Sequence, residues 1–161
     1  MKRSVLCLLI LSAFSLISLR AQTGEVPAAY ATAINTWITQ DNARTKPADA
    51  PYAQVDGPVK IYAGDLDADG DDDYLALYGV TSGGNALMQY MAAFINEQGN
   101  LSTVYQQDVG AAGATMVDSV KIMRGTIECT TVIWRPDDGW CCPSGAGKAR
   151  YGVREGKLEK L

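Results

Sequence analysis

Downstream of Pro58 the chain is cut into short lengths by turn signals that return about every ten residues, which leaves room for little but a sheet of short strands. The breaks fall at Gly83-Gly84-Asn85, Gln98-Gly99-Asn100, Gly110 to Gly113, Arg124-Gly125 and Glu155-Gly156. Runs rich in β-branched and aromatic residues lie between them. They predict strands over 59–63, 73–80, 88–96, 101–108, 116–123, 126–134 and 148–154, with a short last one at 157–160. A parallel pair needs a long crossover, so connections this short predict antiparallel neighbours.

Ahead of the strands the periodicity changes. From Pro27 to about Ala43 the sequence is alanine-rich, and Tyr30, Ile34, Trp37 and Ile38 share one stripe of a helix. Pro27 suits a first turn, and the helix has stopped by Pro47. Residues 44–58, with Pro47, Pro51, Pro58 and the pair Asp56-Gly57, read as a linker. The expected architecture is α+β: one N-terminal helix packed on an antiparallel β-meander of about seven or eight strands, with Trp37 holding the helix to the sheet. Within 126–134 the alternation puts Ile127, Cys129, Thr131 and Ile133 on one face. Thr126, Glu128, Thr130, Val132 and Trp134 take the other, so Cys129 is expected to point inward.

The N-terminus has the layout of a secretory signal peptide: Met1-Lys2-Arg3, an apolar run from Val5 to Leu19, then Ala21-Gln22. Cleavage is expected after Ala21, leaving 22–161 as a single domain, secreted or periplasmic. No second apolar stretch follows, so no membrane span is expected after cleavage, and Cys7 lies too early in the run to be a lipoprotein's acylated cysteine. Removing Lys2, Arg3 and Arg20 from the 14 basic residues leaves 11 against 18 acidic ones. Six of those acids fall in residues 65–73, so the negative charge is focused at one place, where it would attract a cation. There is no basic patch interleaved with aromatics, and nucleic acid is not an expected partner.

That place is Asp65-Leu66-Asp67-Ala68-Asp69-Gly70-Asp71-Asp72-Asp73. Carboxylates this crowded repel one another unless a hard cation sits among them, and alternate acids closed by a glycine match the oxygen-ligand spacing of calcium. The expected metal ligands are Asp65, Asp67 and Asp69 through their side chains, Asp71 through its carbonyl or carboxylate, and Asp73 directly or through water. Gly70 permits the sharp turn. Magnesium fits less well, because it tolerates crowded all-protein cages poorly. The EF-hand's closing Glu is replaced by Ala76, and the flanks read as strands, so an EF-hand is disfavoured.

With Tyr74-Leu75-Ala76-Leu77-Tyr78-Gly79 following at once, the stretch resembles the calcium loop of FG-GAP and VCBS-type repeats, in which an Asp-rich turn joins two strands. The resemblance implies calcium at Asp65, Asp67, Asp69, Asp71 and Asp73. Those families carry several such loops arranged as propeller blades, whereas this chain has one and is too short for a propeller.

The second unusual stretch runs Trp134-Arg135-Pro136-Asp137-Asp138-Gly139-Trp140-Cys141-Cys142-Pro143-Ser144-Gly145. It resembles the tail of small exported bacterial proteins in which an acidic turn precedes a Cys-Cys-Pro-Ser segment. After signal cleavage Cys129, Cys141 and Cys142 remain, an odd number for an oxidising compartment. A Cys141–Cys142 bridge would be strained and comparatively reducible, since adjacent Cα atoms lie closer than an ordinary bridge requires. A bridge from Cys129 to Cys141 or Cys142 competes with it, although the inward placement of Cys129 allows it to be an inert buried thiol. Trp134 and Trp140 either form an exposed apolar patch or cover the end of the sheet.

The chain has no histidine, which removes histidine triads, zincin motifs and imidazole bases. Gly145-Ala146-Gly147-Lys148 lacks the glycine spacing of a phosphate loop and has Ala149 where Ser or Thr belongs. The expected function is an exported, calcium-binding, non-enzymatic binding or envelope-associated module with a protein partner. Two alternatives come from other classes. One is a small exported enzyme, either a calcium-dependent hydrolase or a thiol-redox protein using Cys141 and Cys142. The other is a secreted enzyme inhibitor presenting the 135–147 loop.

Overall fold

A computed structural model describes residues 25–44, 53–83 and 86–161. The signal peptide and its cleavage site, together with Pro47, Pro51 and Gly84-Asn85, lie outside the described residues. Helix α1 spans Ala28–Arg44, and the strands are β1 Gln54–Gly64, β2 Asp73–Thr81, β3 Leu87–Glu97, β4 Asn100–Ala111, β5 Thr115–Met123, β6 Thr126–Ile133, β7 Gly145–Arg154 and β8 Lys157–Lys160. They form one eight-stranded sheet in sequence order, and every neighbouring pair is antiparallel. The α+β reading of one helix on an antiparallel meander therefore holds. No helix among the described residues is long and apolar enough to cross a membrane.

The linker reading needs correction at its C-terminal end. Gln54 to Pro58 belong to β1, whose register with β2 breaks between Asp56 and Lys60 around Gly57 at φ 73°. Gly57-Pro58 survives inside a strand because β1 is an edge, where a missing N–H and a bulge interrupt no outer ladder.

The sheet is nearly divided in the middle. β4 and β5 are paired only at Ala111↔Thr115, while β3 and β4 run in register from Met88↔Ala111 to Glu97↔Asn100 with two bulges. The half β5–β8 folds back over β1–β4, bringing β1 against β5 and β4 against β8. One core fills the space between the halves: Leu75 and Leu77 of β2, Met91, Ala93 and Ile95 of β3, Ile122 of β5, Ile127 and Cys129 of β6, Tyr151 of β7 and Leu158 of β8. Cys129 points inward as its alternation requires. At the fold line Gly110 is obligatory, because a Cβ there would overlap the carbonyl oxygen of Thr115.

A second core lies on the other face of β2 and β3. Ile34 and Ile38 of α1 pack with Tyr74, Ala76, Tyr78, Ala92 and Phe94, while Tyr30 and Trp37 line its margin. Trp37 meets Phe94 edge-on with centroids 5.4 Å apart, and Tyr30 lies 4.9 Å from Tyr74. Such ring pairs contribute about 0.5–1.5 kcal/mol beyond their buried area. β2 and β3 are thus the middle layer of three, between α1 and β5–β8. Their near-continuous apolar runs serve both faces.

Candidate metal centre

β1 ends at Gly64 and β2 begins at Asp73, so the acidic residues occupy one strand-to-strand turn. Successive aspartates shape it. Asp65 Oδ1 accepts from Ala68 N at 2.6 Å, Asp67 Oδ1 from Asp69 N at 3.2 Å, and Asp69 Oδ1 from Asp71 N at 3.0 Å. Each carboxylate bonds a backbone N–H two or three residues ahead, the habit that makes aspartate a turn former. Ala68 and Gly70 take left-handed conformations at φ 70° and 99°.

Leu66, 1 % exposed, plugs the turn into the inner core. The β5–β6 turn supports it from the other half of the sheet, with Gly125 N donating to Asp65 O at 3.0 Å. At the far end Asp73, fully buried, clamps two segments. Its Oδ2 accepts from Leu66 N at 2.7 Å and its Oδ1 from Asn96 N at 2.8 Å. Asn96 adds a second tie, donating Nδ2 to Asp72 O at 3.1 Å and accepting from Gly99 N at 2.9 Å through Oδ1. Asn96 carries no signal in the sequence. Its position follows from the β2–β3 register, whose pair Tyr74↔Phe94 brings Asn96 opposite Asp72.

Carboxylate oxygens of Asp65, Asp67 and Asp73 all lie within 4.8 Å of one another. Of the five expected ligands, the turn brings these three together. Asp69 and Asp71 stand outside that cluster, although Asp69 caps the backbone at Asp71 just as Asp65 and Asp67 cap theirs. Asp71 shows a different feature: its Oδ1 is shut off from solvent and has no hydrogen-bond partner.

Burial pushes the Asp73 carboxyl up to about 6; the N–H groups of Asn96 and Leu66 oppose that rise, and the charges of Asp67 and Asp69 add to it. Asp71 and Asp67 are also held above the usual carboxylate range, by burial and by neighbouring acids, Asp69 foremost. Protons are retained where negative charge is concentrated without a counter-charge. An oxygen-rich cluster of this kind suits a hard divalent cation.

The Trp134–Ser144 loop closes the opposite connection, between β6 and β7. Asp138 Oδ2 accepts from Arg135 N at 2.7 Å and from Ser144 N at 2.8 Å, joining the two ends. These bonds hold the Asp138 carboxyl below its ordinary range. Trp134 Nε1 donates to Trp140 O at 2.9 Å, and the half-exposed Trp140 ring lies over Gly113. The sulfurs of Cys141 and Cys142 are at bonding distance, a vicinal disulfide, while Cys129 is a buried free thiol that burial pushes up to about 11. Of the competing cysteine arrangements, the vicinal bridge is the one formed.

No family model matches the chain, and neither a curated protein nor a solved structure is significantly similar to it. The likeness to FG-GAP and VCBS-type loops accordingly rests on residues 65–79 alone.

Proposed function

We propose that the 65–73 turn binds calcium and that the chain is an exported, calcium-stabilised module with a binding or envelope-associated role toward a protein partner. The observation that carries this reading is the convergence of Asp65, Asp67 and Asp73 oxygens beside the unpartnered, solvent-shielded Oδ1 of Asp71. A buried acceptor without a donor costs free energy that a cation would recover. The backbone ties around Asp73 and Gly125 support a structural staple rather than a switch, since the turn is already held between both halves of the sheet. Export is supported by the Lys2-Arg3 and Val5–Leu19 pattern, and a disulfide accords with an oxidising compartment.

The test is thermal unfolding of residues 22–161 in millimolar calcium, in millimolar magnesium and with excess chelator, alongside Asp65→Asn/Asp67→Asn. At the affinity of extracellular modules, calcium contributes about 0.5–1.5 kcal/mol through linkage. That corresponds to a rise of about 2–6 °C, absent in the variant and smaller with magnesium. Equal melting temperatures with calcium and chelator would refute the site.

A further inference from the structure

We infer that Cys141–Cys142 is a thiol–disulfide exchange site, cycled by dithiols from outside the chain, and not a structural bridge. A disulfide stabilises a fold mainly by closing a loop in the unfolded chain, and a bond between sequence neighbours closes none. Both cysteines are exposed, on a loop at the end of the sheet. Exchange requires access for an attacking thiolate, and this bond has it. The third thiol cannot take part, because Cys129 lies 3 % exposed in the core between the halves, and burial keeps it protonated.

The loop is built to survive the loss of the bond. Asp138 ties Arg135 to Ser144, Cys142 N donates to Gly139 O at 2.9 Å, and Trp134 holds the carbonyl of Trp140. None of these contacts involves a sulfur. After reduction the two thiols stay on one short turn, placed to close again on each other. In the forward step a thiolate of the external dithiol attacks one sulfur, forming a mixed disulfide and releasing the other cysteine as a thiolate that takes up a proton. The second thiol of the dithiol then displaces the first cysteine. The protein gains two electrons and two protons, and the dithiol leaves as its own disulfide.

The experiment treats folded, oxidised residues 22–161, which leave out Cys7, with dithiothreitol, traps thiols with a maleimide and maps the labelled peptides by mass spectrometry. It then removes the reductant, adds oxidised dithiothreitol and repeats the mapping. Expected are no labelled thiols before reduction, two labels on the Cys141–Cys142 peptide after it, none on Cys129 until the chain is denatured, and an unlabelled monomer after re-oxidation. Cys141→Ser and Cys142→Ser should each abolish the two-label step, with melting temperature unchanged. Three results would each overturn the inference: a bond that resists dithiothreitol until the chain unfolds, a bridge mapped to Cys129, or re-oxidation into disulfide-linked dimers.

Discussion

The side-chain amide of Gln89 pairs with the backbone of Val117 as another strand would, donating Nε2 to Val117 O at 2.9 Å and accepting from Val117 N at 2.6 Å through Oε1. The pair crosses between the halves close to the fold line, where β5 is bulged between Val117 and Ser119 and its ladder is interrupted. Gln89 is 7 % exposed, so water does not replace these bonds readily. Gln89→Ala would leave a buried donor and acceptor unmet and should cost about 2–4 kcal/mol. Gln89→Glu, which keeps the acceptor but buries a charge, should not restore stability. Chemical denaturation of both variants measures this.

Asp73 and Asp69 are both acids of the turn, yet they should respond differently to amidation. In Asp73→Asn one oxygen becomes an NH₂ group facing either Leu66 N or Asn96 N, donor against donor. The expected loss is about 2–4 kcal/mol even in chelator. Asp69 is exposed and bonds one backbone N–H, so Asp69→Asn should change stability by less than about 1 kcal/mol. Denaturant midpoints in chelator separate the two.

Stability of the metal-free chain should fall as pH rises. With the Asp73 pKa raised by burial to about 6, against about 3.9 in an unfolded chain, the native state holds a proton over that interval that the unfolded state has released. Its contribution is therefore full below pH ~4 and lost as pH climbs through about 6, leaving the native state about 2–3 kcal/mol less stable at pH 7. Asp67 and Asp71, raised as well, act with the same sign. Thermal melts between pH 4 and 8 should decline across this window in chelated protein, and saturating calcium should flatten the decline.

Gly110→Ala should be the most damaging small substitution in the sheet. The added methyl would meet the backbone oxygen of Thr115, which cannot swing aside as a side chain can. A loss above about 3 kcal/mol is expected, with β4 and β5 separating at their single pair. Hydrogen exchange at Ala111 and Thr115 would report it.

Much of the fold was legible because it is local. The strand ends coincide with glycine turns whose φ values are positive, Gly99, Gly113, Gly125 and Gly156 among them, and the stripe of Tyr30, Ile34, Trp37 and Ile38 is the face that α1 buries. The folding back of β5–β8 was not legible. It depends on Gln89 reaching Val117 and on Gly110 admitting Thr115, encounters that no period of the sequence encodes. In the candidate site, spacing singled out Asp65, Asp67, Asp69, Asp71 and Asp73 alike, and of these the oxygens of Asp65, Asp67 and Asp73 converge. Which of the five converge was not legible, because that depends on the path of the turn around Leu66 and on the clamp Asp73 makes to Leu66 N and Asn96 N. Asn96 escaped because its partner Asp72 is a neighbour only once β2 and β3 are in register.

The sequence-ordered sheet bears on how quickly the chain finds its structure. Each of the seven ladders joins consecutive strands, whereas the inner core, the meeting of β1 with β5 and of β4 with β8, and the seating of α1 bring together segments distant along the chain. A hairpin closes a short loop at small entropic cost, whereas joining the two halves closes long ones. The hairpins should therefore form early, and docking of the two halves, sealed by Gln89 and Val117, should be the slow event that governs the rate.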